Sequence, residues 1–373
     1  MKKYQICTRC VMDTTDPDIE FDENGVCNHC RKYDEIVKEK ILTISERKNE
    51  LEKIINKIKE EGKGKKYNCI MGLSGGVDSS YVACLAYKYK LKPLAIHIDN
   101  GWNSEESEEN IKNIINALGF DLCTYKVNWE EFKDLQRSYF KASVIDIEVL
   151  TDNVIVNYIY KHALEKDIKY QLTGCNAATE SILPKSWSYA KFDVRNIKAI
   201  QKKFGTKQIK NTSFISTYQY LWNKIITKKV KEINILDYID YNKSKAKDIL
   251  KKKLSWKDYG AKHFESVFTR FYQAYILPKK FGIDKRKAHL SNLICSGQIT
   301  RKEAIEELKK DPYPPQLIEK DKEYVLNKLG FSKDEFEKIM NEKPKSHLDY
   351  PNEKTIMKYI ITIGKVIKPF LKC

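Results

Sequence analysis

Four cysteines and one glycine pair carry the chemistry that this 373-residue chain declares most openly. Cys7-Thr-Arg-Cys10 and Cys27-Asn-His-Cys30 are two C-x2-C pairs with sixteen residues between them. Each pair chelates from a tight turn, and two pairs supply the four thiolates of a tetrahedral zinc site. With four cysteine ligands such a site is closed and structural, which leaves His29 a neighbour rather than a ligand. Ser74-Gly75-Gly76-Val77-Asp78-Ser79-Ser80 is the second centre. It follows a short apolar run, Cys69 to Leu73, and leads into a helical pattern at Tyr81, Val82, Cys84, Leu85 and Tyr89. A glycine pair at a strand-to-helix junction lets backbone N–H groups converge, and the helix adds its positive end, so phosphate binds there. Gly75 and Gly76 permit close approach, Ser74, Ser79 and Ser80 offer hydroxyls, and Asp78 can hold a cation against the phosphate charge. Neither the Gly-Lys-Ser/Thr ending of the Walker loop nor Gly-x-Gly-x-x-Gly is present at this junction.

The elements that must position these groups alternate. A second apolar run, Pro93 to Ile98, ends in Asp99-Asn100-Gly101-Trp102, and Ser104-Glu105-Glu106 opens a helix closed by Gly119. A third strand is expected over 122–127, helices around 130–141 and 146–165, and a fourth strand over 168–173 ending in Gly174-Cys175-Asn176. This order predicts an α/β fold, a parallel sheet with helices on both faces, whose ligands bind at the carboxyl ends of the strands. The loops 74–80, 99–102 and 173–180 then share one crevice. Beyond Glu180 the alternation is expected to stop. The chain divides into a zinc ribbon (1–32), a helical linker (33–66), a nucleotide-binding domain (67–184), a helical, basic region that completes the active site (185–350) and a tail helix (351–373).

Formal net charge is +17, and residues 185–262 hold 20 Lys/Arg against 6 Asp/Glu. Such a block can meet nucleic acid, a phosphorylated substrate or an acidic partner. Its aromatic residues (Trp187, Tyr189, Phe192, Tyr218, Tyr220, Trp222) suit base stacking, but serve an aromatic helix core at least as well, which argues against nucleic acid. Six scattered cysteines and no signal-like leader predict a reducing cytoplasm. The apolar stretch 355–371, broken by Lys358, Lys365, Lys368 and Pro369, reads as a packed helix rather than a transmembrane span.

Ser-Gly-Gly-Val-Asp-Ser-Ser resembles the PP-loop of the ATP pyrophosphatase superfamily, whose members cleave ATP between the α and β phosphates and adenylate a substrate oxygen. Asp99-Asn100-Gly101 resembles the adenine-side loop of the amidotransferase branch. Thr173-Gly174-Cys175-Asn176 is similar to that branch's Thr-Gly-His-Asn loop, with cysteine in place of histidine. Ala177 and Ala178 stand where acidic residues often follow, so Glu180 is the nearby carboxylate and the Mg²⁺ ligand set stays open. Lys279, Lys285 and Arg286 are then candidates to neutralise the departing pyrophosphate, with a solvent-facing basic loop as the equal alternative.

Longer strings carry a narrower resemblance: Tyr238-Ile-Asp-Tyr-Asn, Trp256-Lys-Asp-Tyr-Gly, Phe264-Glu-Ser-Val-Phe-Thr-Arg-Phe-Tyr-Gln, Lys280-Phe-Gly-Ile-Asp-Lys-Arg-Lys-Ala-His-Leu-Ser, Ser296-Gly-Gln-Ile-Thr-Arg and Ser346-His-Leu-Asp-Tyr-Pro. In these the chain resembles the N-acetyl sugar amidotransferases of surface-polysaccharide and flagellar-glycan biosynthesis. The resemblance implies conversion of an acetamido group on a nucleotide-linked or nonulosonic sugar to an acetamidino group, with ATP, Mg²⁺ and ammonia. Lys2 stands where an N-terminal-nucleophile glutaminase needs cysteine, and Gly174-Cys175-Asn176 is no nucleophile elbow. Ammonia is therefore expected from a separate glutaminase subunit, with an ammonia-channelling cyclase-like subunit. The competing expectation is a tRNA-modifying PP-loop enzyme; thiolases of that kind usually need a cysteine pair near the sheet, and Cys123 and Cys175 are each alone.

Overall fold

Short apolar runs become the central strands of a single parallel sheet, flanked by more polar edge strands. The computed structural model describes residues 3–40, 44–260 and 264–354, so most of the expected tail helix, from 355 on, lies outside the described residues. Strands β1 (Cys69–Gly72), β2 (Pro93–Asp99), β3 (Asp121–Lys126), β4 (Tyr170–Thr173) and β5 (Lys231–Asn234) lie in the order β3-β2-β1-β4-β5. All pairings are parallel: Met71 sits opposite Ala95 on one side and Leu172 on the other.

Strand periodicity of two sends alternate side chains to opposite faces. Cys69 and Met71 enter one core with Ala95, Tyr170 and Leu172, while Ile70 enters the other with Leu94 and Ile96. The first face is covered by helices Val77–Lys88, Glu105–Leu118 and Lys243–Leu254, and the second by helix Val149–Glu165. This is the doubly wound arrangement the alternation predicts.

One expectation is corrected. The alternation does not stop at Glu180: β5 adds a strand beside β4, with Tyr170 opposite Lys231 and Thr173 opposite Asn234. Lys-Glu-Ile-Asn holds one apolar residue and pairs on one side only, so it needs no alternating pattern to be stable as an edge.

A third core joins the two ends of the chain. The four ribbon cysteines, Met12 and Ile19 pack in one cluster with Trp102, Phe132, Phe268, Phe271, Tyr272 and Ala288. The ribbon seats on helix Arg286–Cys295 through an ion pair of Lys287 with Asp13 (2.5 Å) and a hydrogen bond from Val11 N to Ser291 Oγ (3.2 Å). Arg301 closes the seat by donating to the carbonyls of Cys7 (2.9 Å) and Cys10 (3.0 Å).

Candidate active site

The turn after β1 is built as its sequence requires. Gly75 takes φ +77°, where a side chain is strained, and an added Cβ would lie 2.5 Å from the Ser107 carbonyl oxygen. Gly76 precedes helix Val77–Lys88 in extended conformation and, having no side chain, leaves the first-turn N–H groups without a cap of its own. Ser74 and Ser79 bridge the turn, their Oγ atoms 3.1 Å apart. Ser80, by contrast, is fully buried and does not line the cleft.

Residues remote in sequence hold this loop in place. Ser107 Oγ donates to Ser74 O (2.8 Å), and Trp256 Nε1 donates to Gly75 O (2.9 Å). Val77 N–H donates to the Tyr259 hydroxyl (3.1 Å). That N–H belongs to the anion-binding end of the helix. Tyr259 therefore puts an oxygen where a phosphate oxygen would sit.

Asp78 lies at the centre of the convergence. It accepts a hydrogen bond from the Tyr241 hydroxyl, and Lys243 Nζ stands 3.8 Å from its second oxygen. Burial, with the neighbouring Asp78 charge adding to it, raises the Tyr241 pKa well above the ordinary phenol, so Tyr241 is a donor. Gly174 crosses directly behind: a Cβ there would lie 3.1 Å from Asp78 Cβ. The β1 and β4 loops thus meet at the switch point of the sheet, where β1 is flanked by β2 and β4.

From the β2 side, Asn100 reaches the cleft while its Oδ1 accepts from Trp102 N (3.2 Å). Asp99 turns back to cap Gly101 N (2.9 Å), and Gly101 at φ +81° lets Trp129 pass close by. His97, buried in the floor, donates from Nδ1 to Leu73 O (3.0 Å) and accepts at Nε2 from Asn103 (3.0 Å). Burial lowers its pKa, so the ring stays neutral. On the β4 side, Thr173 Oγ1 donates to Asn234 (2.9 Å), and Asn176 caps the following turn by accepting from Thr179 N (2.9 Å). Both side chains thereby serve the loop's shape.

The loops after β1, β2 and β4 wall a cleft of about 1010 Å³ through Ser74, Val77, Ser79, Asn100, Thr179 and Glu180, whereas Asp78, Asp99, Thr173, Gly174 and Asn176 do not line it. Its far wall carries a mesh of opposite charges. Glu148 accepts from Gln273 (2.9 Å) and Lys285 (3.3 Å), and Lys191 pairs with Asp152 (2.7 Å). Beneath it, burial raises the Asp146 pKa to about 6, opposed by the nearby Lys285 charge. The three basic residues singled out by sequence separate here. Lys285 and Arg286 line the cleft, Arg286 being held by Asp284 (2.7 Å). Lys279 does not line it: its amine sits over the Tyr275 ring, 4.4 Å from the centroid. Lys279 is one residue past Pro278 in a wide helical turn, Tyr272–Phe281, which aims it away from Lys285. Tyr241, Trp256 and Tyr259, though part of the strings quoted above, had no role assigned by spacing; only contact reveals one.

The cysteine quartet is a separate centre. All four thiols are buried and their sulfurs lie within 4.8 Å of one another, with individual separations of 3.7–3.9 Å. A tetrahedron with metal–sulfur bonds near 2.3 Å has edges of about 3.8 Å, so the quartet fits such an ion. His29 turns to Asp16 (2.7 Å), outside the quartet. Cys295 approaches from the supporting helix, its sulfur 3.8 Å from that of Cys30.

Set beside known proteins, residues 46–182 match the NAD synthase family. Residues 265–364 match the family described as LPS biosynthesis protein WbpG-like, C-terminal domain. An uncharacterized protein of Methanocaldococcus jannaschii is 25% identical over 283 residues, covering 73% of this chain and 82% of that protein. The glutamine-dependent NAD(+) synthetase of Aquifex aeolicus is 28% identical over 142 residues, covering 37% of this chain and 22% of that protein. NMN synthetase from Francisella tularensis aligns with a TM-score of 0.29 at 19% identity, over 37% of this chain and 56% of its own. The NH3-dependent NAD synthetase from Campylobacter jejuni aligns at 0.30 and 17%, over 42% and 72%. The two family matches support an ATP-using, amidotransferase-like member of the PP-loop superfamily with a WbpG-like C-terminal part. Among the described residues no helix is long and apolar enough to cross a membrane.

Proposed function

We propose that this chain converts the acetamido group of a nucleotide-linked or nonulosonic sugar to an acetamidino group in the cytoplasm, at the expense of ATP. One observation carries the reading. The cleft has a phosphate loop from the NAD-synthase-like part on one side, and Arg270, Lys285 and Arg286 from the part matching the LPS-biosynthesis family on the other.

An amide carbon is a poor electrophile, and adenylation of its oxygen makes it a good one. The amide oxygen attacks the α-phosphorus, the α–β phosphoanhydride bond breaks, and pyrophosphate departs. Ammonia then adds to the activated carbon, loses its extra protons and expels AMP. In this scheme the N–H groups from Gly75 to Val77 hold phosphate oxygens, with the Tyr259 hydroxyl yielding its place. Asp78, fixed by Tyr241, would hold Mg²⁺, which neutralises phosphate charge when bound. Lys285 and Arg286 stand on the wall that faces the leaving group. Glu148, Gln273 and Lys285 offer both donors and acceptors to sugar hydroxyls. The cysteine quartet would hold a structural zinc ion, away from the chemistry.

No residue array for glutamine hydrolysis is part of this scheme, so ammonia comes from a glutaminase subunit, with a cyclase-like subunit to channel it. The test incubates the chain with ATP, ammonium and a panel of nucleotide sugars. Replacing the amide oxygen by NH lowers product mass by about one unit, and pyrophosphate release should track it. Turnover on tRNA instead of sugars, or glutamine-driven turnover by the chain alone, would overturn the substrate and partner assignments respectively.

A further inference from the structure

Four of the ten large apolar side chains that stand exposed among the described residues fall within nine consecutive positions. They are Tyr218 (62% exposed), Trp222 (46%), Ile225 (56%) and Ile226 (58%). The segment is helical throughout, Thr217–Leu221 running on into the wider turns of Trp222–Thr227, with a capping box at Ser216 and Gln219. Positions 218, 222, 225 and 226 have the spacing of one helix face. The Tyr218 and Trp222 rings stack at 5.9 Å, as that face requires.

The opposite face is committed to the fold. Tyr220 stacks on Phe192 at 4.1 Å, and Lys224 pairs with Glu232 at 3.2 Å. The helix is thus held with its apolar stripe outward. Tyr, Trp and two Ile at these exposures leave about 400 Å² of apolar surface, a size that marks a contact site on a soluble chain. The charge along the segment is predominantly positive, Glu232 just beyond it pairing with Lys224. Residues 205–231 contain six lysines and no Asp or Glu, and Lys228 and Lys229 follow the stripe directly, both exposed.

We propose that this face rests on an anionic lipid bilayer, with Trp222, Ile225 and Ile226 entering the headgroup boundary and Lys228 and Lys229 pairing with lipid phosphates. Tyr and Trp favour that boundary, where one end of the ring is apolar and the other wet. A second copy of the chain would set lysines against lysines. A protein groove fits less well, since lysine is depleted at protein interfaces. The inference is independent of the amide chemistry, because the stripe contributes nothing to the cleft.

The test is co-sedimentation of the full chain with phosphatidylcholine vesicles made with and without phosphatidylglycerol, at low salt. Binding should require the anionic lipid and weaken with added salt. Each lysine near such a surface contributes about 1 kcal/mol, roughly fivefold, so Lys228→Gln with Lys229→Gln should cut partitioning about 30-fold. Trp222→Ser with Ile226→Ser should abolish it, with the unfolding midpoint unchanged because both side chains are exposed. Absence of binding to anionic vesicles overturns the proposal. So does binding that survives both double variants, or self-association of the wild type that Trp222→Ser disperses.

Discussion

Gly75→Ala tests the phosphate loop most sharply, because its cost can be worked from two separate terms. At φ +77° the residue lies in left-handed backbone, which costs an L residue about 1–2 kcal/mol. The new methyl carbon would stand 2.5 Å from the Ser107 carbonyl oxygen and 3.1 Å from its hydroxyl, and over-packing of that kind adds about 1–3 kcal/mol. The total is roughly 2–5 kcal/mol. A backbone carbonyl in helix Glu105–Leu118 cannot rotate away, so the loop must move, loosening the hydrogen bonds from Ser107 to Ser74 and from Trp256 to Gly75. Gly119→Ala is the matched control: φ is +66°, but nothing lies within 4 Å of the added carbon, so only the backbone term applies. Thermal unfolding and calorimetric titration with Mg·ATP read the two effects separately. Both variants should lose stability, Gly75→Ala more. Only Gly75→Ala should lose ATP affinity, by about tenfold or more, which corresponds to roughly 1.4 kcal/mol of the strain surfacing in binding. Wild-type affinity in a folded Gly75→Ala chain, or an equal loss in Gly119→Ala, would refute the assignment of the loop.

Three further outcomes are expected. Tyr241→Phe removes the hydroxyl that orients Asp78; a hydrogen bond to a charged group contributes about 1.5–3 kcal/mol, so half-saturating Mg²⁺ should rise about tenfold or more, and an unshifted Mg²⁺ titration would remove Tyr241 from that role. Cys27→Ser should abolish zinc retention by elemental analysis and expose the Arg301 seat to limited proteolysis, whereas full metal content in that variant would contradict a four-thiolate site. Burial lowers the His347 pKa to about 3, against an ordinary value near 6.5, so the unfolded chain takes up the proton first and stability falls as pH drops below about 6.5, by at most ~1.4 kcal/mol per pH unit until about pH 3. Replacing His347 by Gln should flatten the denaturant-midpoint profile between about pH 6.5 and 5; an unchanged slope would assign the acid lability elsewhere.

What could be read in advance follows from where the information lies along the chain. β1, β2 and β4 are apolar runs closed by glycine or polar turns, and helix Glu105–Leu118 has Ser104 and Gly119 at its ends in the conformations those residues favour. Local pattern suffices for such elements. β5 has no such pattern, because an edge strand of four residues is specified by its neighbour's free hydrogen-bonding groups rather than by its own side chains. The phosphate loop was legible as a string, but its supports were not. Tyr241, Trp256 and Tyr259 reach it across 163, 181 and 182 residues, distances over which spacing carries no signal. Asn176 sits in a motif that suggests ligand contact, and its side chain also caps a turn, a task its place in the string does not announce. Lys279 and Lys285 look equivalent in a basic run until the backbone between them turns one toward Tyr275 and the other toward Glu148.

The seat of the ribbon has a consequence for biosynthesis. Cys30 is translated 265 residues before Cys295, the neighbour whose helix later shelters it. At ribosomal rates of about 5–20 residues per second the four sulfurs stay unprotected for roughly 10–50 seconds after they emerge. Capture of an ion within that interval would let the small knuckle arrive already shaped. Helix Arg286–Cys295 then has a finished surface to condense on.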